Sequence, residues 1–316
     1  MNSSTLYEQF IKDLRGKFEL SDQGDLNWYL GVAFNHDRKL GTCTLTQSSY
    51  IEALLERFNM KGCTPMSTPC EPSSHLLKSD APAVPDKAAV KHYQQLVGSL
   101  MYLACFTRPD IAYAVNQCAR HMSNPGPTHV TAAKRILKYL AGTKELGLRY
   151  TRTSDTGRAN VLTSFADSDH AGDPDSRRSV TGYVQLLNGA VVSWQSVRQQ
   201  VVALSSVEAE YYAASVSGTD VQYIWRLMDE LGHKQKEPTT LYEDNMACIY
   251  MSESSVMYHK ARHIDTRVYH LRELCKDGIM KLIKVESAKQ TADSLTKGTP
   301  RPLFVAHRRD MLGMEM

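Results

Sequence analysis

The chain has 316 residues, 42% of them hydrophobic and 22% charged, which is too long for one small core and sits inside the ordinary globular range. Its formal net charge of +3 is too slight to name a nucleic acid or a membrane surface as partner, so such a partner has to be argued from local patterning. The cysteines, Cys43, Cys63, Cys70, Cys105, Cys118, Cys248 and Cys275, form no Cys-x-x-Cys pair and are odd in number. That argues against a zinc site or a disulfide framework and fits a reducing compartment. Charges at Glu8, Lys12, Asp13, Arg15, Lys17 and Glu19 leave no room for a signal-peptide core, and no later run approaches the roughly twenty apolar residues of a spanning helix. The expectation is a soluble, cytoplasmic protein without a membrane partner.

In chain order, Leu6 to Phe18 is expected to be a helix, since Phe10, Ile11, Leu14 and Phe18 recur at three- and four-residue steps. Leu26 to Phe34, a charged turn from Asn35 to Leu40, and the alternating Thr42 to Thr46 suggest a hairpin. Tyr50 to Phe58 follows as a second amphipathic helix. From Lys61 to about Asp86 the prolines at 65, 69, 72, 82 and 85 indicate a linker or surface loop. Helical periodicity returns over Val90 to Phe106, Pro109 to Met122 and Pro127 to Leu140, each bounded by Pro or Gly, as a compact three-helix unit.

Beyond about Arg158 the pattern changes to short strands and helices. Val161 to Ala166, Val180 to Leu187 and Ala190 to Trp194 are expected strands, the last two joined by the hairpin signal Asn188-Gly189. A long helix is expected from Ser206 to Leu231, then a strand from Thr240 to Glu243, a short helix from Asn245, and a helix from Ile264 to Asp277. A strand from Ile279 to Val285 and a final helix beginning near Gln290 complete the reading. Three consecutive strands followed by helix and strand in alternation indicate a mixed sheet with helices on its faces.

Four acids fall at element ends or on inward faces: Asp167, Glu210, Asp244 and Asp293. Glu210 shares a helical stripe with Val207, Ala214, Ser217, Val221, Ile224 and Met228, the face expected against the sheet, where an unpaired carboxylate is costly. Glu208 points about 200° away and completes a Ser205-x-x-Glu208 capping box, so it is assigned to structure. Asp167 and Asp169 share one strand face and patterning does not choose between them. Asp244 is equally a helix N-cap by pattern, and Asp293 an acid in a helix's first turn. Together, converging carboxylates would raise one another's pKa unless cations neutralise them. Oxygen ligands of this kind suit Mg²⁺, and two such ions about 3.5 to 4 Å apart could hold the attacking water and the leaving 3′ oxygen of a phosphodiester in line.

Longer motifs contain these acids: Phe165-Ala166-Asp167-Ser168-Asp169-His170-Ala171-Gly172-Asp173, Arg177-Arg178-Ser179-Val180-Thr181-Gly182-Tyr183, and Val202-Ala203-Leu204-Ser205-Ser206-Val207-Glu208-Ala209-Glu210-Tyr211. Asp244-Asn245, Arg262-His263-Ile264-Asp265-Thr266-Arg267 and Gln290-Thr291-Ala292-Asp293-Ser294-Leu295-Thr296-Lys297 follow. The first half contributes Gly24-Asp25-Leu26-Asn27-Trp28-Tyr29-Leu30-Gly31, Gly98-Ser99-Leu100-Met101-Tyr102-Leu103, Thr107-Arg108-Pro109-Asp110-Ile111-Ala112 and Met122-Ser123-Asn124-Pro125. Over nearly its whole length the chain resembles copia-type retrotransposon Pol polyproteins, in the C-terminal part of the reverse transcriptase and the RNase H domain after it.

The resemblance implies two parts. Residues 1–150 would be an α+β, mostly helical reverse-transcriptase remnant (palm edge, thumb and connection), with a linker at about 61–86. Residues 158–316 would be an α/β RNase H-like domain with a mixed five-stranded sheet and flanking helices. It implies hydrolysis of the RNA strand of RNA/DNA hybrids, leaving a 5′-phosphate and a 3′-hydroxyl, with two Mg²⁺ ions, for which Mn²⁺ can substitute, on Asp167, Glu210, Asp244 and Asp293. The family places Asp167 ahead of Asp169 and Glu210 ahead of Glu208. RNA would be selected through its 2′-hydroxyl, with groups near Ser205, Ser206 and Asn245 taking part. His263 would be structural or substrate-proximal, and His170 stands at a packing position where the family often carries Trp.

The paired polymerase aspartates of the family would lie upstream of the segment resembling Asn2 to Phe10, and the chain has no Tyr-x-Asp-Asp, so no DNA synthesis is expected of it alone. The missing polymerase portion of Pol is an expected partner, and a virus-like particle or the nucleus are further expected locations. Lys134, Arg135, Lys138 and Tyr139 suit phosphate contact, with a solvated helix face as the plainer alternative. The rival to a nuclease is a catalytically silent, nucleic-acid-binding relic.

Overall fold

The structure, a computed structural model, describes residues 4–21, 23–72, 74–152, 160–253 and 265–314. Helix α1 (Ser4–Arg15) precedes a small antiparallel sheet made of β1 (Trp28–Tyr29), β2 (Val32–Asp37), β3 (Thr42–Thr46) and, from much later in the chain, β4 (Leu148–Thr151), in that order. The strand expected from Leu26 to Phe34 is folded back on itself at Leu30-Gly31. There φ values of 48° and 74° give the left-handed pair that a two-residue hairpin requires. β4 was not foreseen, because four residues are too few for alternation to register and the strand is recruited by its pairing with β3.

Helices α2 (Ser48–Arg57), α3 (Lys87–Phe106), α4 (Ala112–Ala119) and α5 (Pro127–Ala141) bury one common core through Ile51, Leu54, Leu96, Leu100, Leu103, Ile136, Leu137 and Leu140. The proline-rich segment at 61–86 is a surface loop fastened to them: Met66 N–H donates to the Lys138 carbonyl at 3.2 Å, and the His129 ring meets the Leu77 carbonyl at 2.9 Å. Between α3 and α4, Arg108 is fully buried. Its guanidinium forks onto Asp110 at 2.9 and 2.8 Å and also donates to the Thr143 carbonyl. The hydroxyl of Tyr139 donates to the same Asp110 carboxylate. The four charge-assisted bonds close the helical core around an ion pair that water does not reach.

The larger sheet contains β5 (Leu162–Ser168), β6 (Val180–Leu187), β7 (Ala190–Arg198), β8 (Thr239–Glu243) and β9 (Met280–Lys284), in the order β7-β6-β5-β8-β9. Strands β7, β6 and β5 are antiparallel, while β8 and β9 continue the sheet in parallel. Helix α6 (Ser206–Glu230) lies on it, followed by α7 (Met246–Glu253) and α8 (Asp265–Lys276). This is the mixed five-stranded sheet with flanking helices expected of the second half. The stripe expected on α6 does face inward, with Ala214, Ser217, Val221, Ile224 and Met228 buried. Ser217 sits on a polar spine, its hydroxyl 2.8 Å from that of Ser164 in β5 and 3.0 Å from the Gln185 amide in β6.

The helix expected from Gln290 is absent. Thr291–Leu295 is a 3-10 turn with all five residues buried, so it has no solvent face on which an amphipathic α-helix could form. Helix α9 (Arg301–Leu312) begins only after Pro300. It sends Phe304 into the core of the first helices and Met311 and Leu312 into a cluster with Leu148, Val184, Leu186 and Val191. Trp194 Nε1 donates to the Ala104 carbonyl at 2.7 Å, and Asn116 Nδ2 to the Ser196 carbonyl at 2.9 Å, so both sheets and the helical core form one continuous packing. No helix among the described residues is long and apolar enough to cross a membrane.

Removing one member of a buried ion pair leaves the other charge stranded. Asp110→Ala is therefore expected to destabilise the protein by about 3–5 kcal/mol, measured by urea unfolding. Glu71→Ala, which frees Arg135 from an exposed pair at 2.6 Å, is expected to change stability by less than about 1 kcal/mol. Equal effects at the two sites would contradict the role given to Arg108.

Candidate metal centre

Strands β5 and β8 run side by side with Phe165 opposite Tyr242, so their carboxyl ends deliver Asp167 and Asp244 to the same crevice, where open α/β sheets take their ligands. Above it, α6 starts at Ser206 and turns Glu210 inward, 7% exposed. Carboxylate oxygens of Asp167, Glu210 and Asp244 lie within 4.8 Å of one another. Asp293, on the 3-10 turn rather than a helix, borders this trio. Lys297 joins it to the others, with Nζ 2.9 Å from Asp293 Oδ1 and 3.9 Å from Asp167 Oδ2. The hydroxyl of Thr296 also donates to Asp167 Oδ2.

The turn can lie so close because of Gly182, the residue paired with Asp167 in the neighbouring strand. A Cβ at Gly182 would stand 2.7 Å from both Leu295 Cβ and Thr296 Cγ2, closer than carbon atoms pack. On the other side, Ser168 N–H donates to Glu210 Oε2 at 2.8 Å, tying the helix acid to the strand end.

Burial pushes the Asp167 carboxyl up to about 7, with Asp293 and Asp244 adding to the rise and Lys297 opposing it. Glu210 is raised for the same reason, first by burial and then by Asp167, Glu243 and Asp244. Asp293 is raised by burial too, although Lys297 works against it. Burial alone would depress the Lys297 ammonium, yet Asp167 and Asp293 outweigh it and hold it above its ordinary value. Each acid destabilises its neighbours' charge, as expected where anions converge without enough cation.

Other residues resolve by geometry. Asp169 is turned away: burial lifts it to about 6, its Oδ1 accepts Val180 N–H, and a Cβ on Gly172 would meet its Oδ2, so it fastens the loop between β5 and β6. Ser205 Oγ accepts Glu208 N–H at 3.2 Å, and Glu208 Oε2 accepts Leu204 N–H at 2.7 Å, a reciprocal cap displaced by one residue from the expected box. The helix cap that pattern offered to Asp244 is taken by Asn245, whose Oδ1 accepts Ala247 and Cys248 N–H. Asp244 keeps its carboxylate for the crevice, with Ser287 Oγ 2.8 Å from Oδ2. Ser206 is exposed beside the cap, and His170 is exposed, so it fills no packing position. His263 and the side chain of Asp265 lie outside the described residues.

On α5, Tyr139 is buried on Asp110 and Arg135 is bound to Glu71, while Lys134 is exposed, which favours the solvated helix face over a phosphate-contact strip. Glu243 was missed. It is wholly buried, its Oε1 accepts Asn245 N–H at 2.9 Å, and its Oε2 has no hydrogen-bond partner. The period-two rule gave the signal, since Glu243 shares a strand face with the buried Thr239 and Leu241. An all-carboxylate donor set with an orphaned buried oxygen behind it fits hard divalent cations.

No family model matches the chain. It is 39% identical over 295 residues (92% of the chain) to the retrovirus-related Pol polyprotein from transposon TNT 1-94 of Nicotiana tabacum. It is 35% identical over 304 residues to that from transposon RE1 of Arabidopsis thaliana. The chain spans about a fifth of the length of these two relatives, 22% and 20%. A transposon Ty5-1 protein of Saccharomyces cerevisiae is 31% identical over 67% of each chain. Among solved structures, RNase H1 from Halobacterium salinarum is similar over 43% of the chain and 93% of its own length, at 15% identity and a TM-score of 0.32. LC11-RNase H1 in complex with an RNA/DNA hybrid gives the same coverage at 13% identity and a TM-score of 0.33. Crowded acids at the ends of two parallel strands, and sequence identity over nearly all of its length, lead to one conclusion: the chain belongs to the copia-type retrotransposon Pol polyprotein family.

Proposed function

We propose that this chain is a ribonuclease H that hydrolyses the RNA strand of RNA/DNA hybrids within a copia-type Pol polyprotein. In this reading residues 158–316 form the hydrolase and residues 1–150 derive from the reverse transcriptase, without polymerase activity of their own. The observation that carries it is the meeting of Asp167, Glu210 and Asp244 within 4.8 Å, from three elements far apart in sequence. With Asp293 they would hold two Mg²⁺ ions, or Mn²⁺ in their place. Bound there, the ions would supply Lewis-acid chemistry to the phosphodiester and to the attacking water.

The chain's own groups set up the rest. Asp167 and Asp244 are fixed by strand ends and Glu210 by Ser168 N–H, so the acids are held in place before substrate arrives. Lys297 offsets part of the negative charge and steadies Asp293. Ser205 accepts its cap bond and keeps its O–H to donate, and Asn245 uses Oδ1 as a cap and keeps Nδ2. Both donors suit a 2′-hydroxyl oxygen, the feature that separates RNA from DNA. The 3′-hydroxyl and 5′-phosphate ends follow from water attack on phosphorus with the 3′ oxygen leaving.

With Mg²⁺, the full chain is expected to cut the RNA of a labelled hybrid, to spare duplex DNA, and to extend no primer. Asp244→Asn is expected to slow cutting by at least about 100-fold, since it removes one carboxylate that would hold the ions. A folded wild-type protein that binds hybrid and leaves its RNA intact would favour the silent relic.

Metal and proton should also compete. Asp167 is raised from 3.8 to about 7, so between those values the folded state holds a proton that the unfolded chain has released. Its contribution to stability is present at low pH and lost as pH rises towards 7. Mg²⁺ needs the ionised carboxylates and should therefore raise the melting temperature more at pH 8 than at pH 5. Asp167→Asn should weaken both trends, Glu210 and Asp293 keeping the remainder. A Mg²⁺ shift of equal size at the two pH values, or one that the substitution leaves undiminished, would count against metal on these acids.

A further inference from the structure

A groove of about 390 Å³ opens where α4 meets the end of β7, lined by Asn116, Arg120, Arg178, Arg198 and Gln200 among others. It lies between the helical core and the larger sheet, and the bond from Asn116 Nδ2 to the Ser196 carbonyl pins its two walls together. Three arginines line it, Arg120 largely enclosed with Nε and Nη2 donating to Asn116 Oδ1. Arg198 and Arg120 share Asp173, at 2.6 and 3.7 Å, whereas Arg178 has no carboxylate partner among the described residues. Asp173, and through Arg120 also Asp169, stand against three guanidinium groups and still leave a local excess of positive charge. In a chain with a net charge of only +3, that concentration is out of proportion to the whole.

The groove is built onto the metal centre. Gln199, on its wall, donates through Nε2 to Ser168 Oγ at 3.1 Å and to the Ala209 carbonyl at 3.0 Å. Those residues are the immediate neighbours of Asp167 and Glu210. The loop that Asp169 fastens runs directly to Arg178 and is held by Asp173, whose Oδ2 also accepts Ser176 O–H. Asp167 and Arg178 thus stand at the two ends of one braced loop. The acids need cations before they can approach a phosphate, while the arginines can take one directly.

We propose that this groove binds the phosphodiester backbone of the nucleic acid whose scissile phosphate lies at the carboxylates, with Arg178 as the principal contact and Arg120 as the contribution of the helical half. Planar guanidinium forks match phosphate oxygens, and the amide of Gln200 is a sequence-neutral companion. The contact carries no base information, so it sets register and affinity rather than sequence preference. Its location beside the acids rests on the hydrolase reading; the binding itself does not.

The test is the salt dependence of binding between the full chain and a fluorescently labelled RNA/DNA hybrid, followed by anisotropy in EDTA so that no strand is cut. Arg178→Ala is expected to weaken binding several-fold and to make the plot of log K against log salt shallower by about 0.9, the value of one phosphate contact. Arg178→Lys, which keeps the charge, should recover most of that slope, and matching circular dichroism spectra would exclude misfolding as the cause. An unchanged slope in Arg178→Ala overturns the proposal, even if the wild-type chain cuts hybrid efficiently with Mg²⁺. Conversely, a slope loss in a chain that cuts nothing would uphold the groove and remove the hydrolase reading.

Discussion

Like charges held together out of water are the constraint on which this molecule is organised. At about 4 Å and an effective dielectric near 20, two carboxylates repel by about 4 kcal/mol, and the crevice gathers Asp167, Glu210 and Asp244 at about that separation, with Asp293 at its border. No local feature of the chain favours this. It is imposed by the parallel pairing of β5 with β8, by the fixed seat of α6 on the sheet, and by the bare backbone of Gly182 beneath the turn. The protein answers the repulsion with Lys297, with Lys284 beside Asp244 and Glu243, and with raised carboxyl pKa values. These are partial remedies that divalent ions would complete.

Holding repelling groups in place demands a stiff frame, and the helical half supplies part of it. Helix α9 begins just beyond the turn that positions Asp293 and inserts Phe304 into the first core and Met311 and Leu312 into the second. Tyr139 links Asp110 of the buried ion pair to Arg308 of the same helix. The segment that carries the fourth acid is therefore anchored in the helical core of α2 to α5 through side chains.

Much of this was legible in the residues. The stripe from Ala214 to Met228 announced both the long helix and its inward face, and it separated Glu210 from Glu208. Asn188-Gly189 announced the β6–β7 hairpin. Where the reading failed, short or crowded elements were responsible. β4 gains its strand character only from β3, and Thr291–Leu295 is buried on every side, so it has no amphipathic signature to show. Glu243 was passed over because an acid next to another acid looks like solvated charge until the strand's alternation is followed to its end.

Sequence alone determined the kinship, the order of the strands and helices in the second half, and the residue types able to hold a hard cation, because these reside in local periodicity and in motifs. Only the tertiary structure decided that Asp169 turns away to fasten the loop, that Asn245 caps α7 and so frees Asp244, and that Arg120 and Arg178 share a groove. The physical reason is range. Propensity and alternation act over a few residues, whereas repulsion between carboxylates 43 positions apart (Asp167 and Glu210), or attraction shared by arginines on two different elements, exists only once the chain has brought them together.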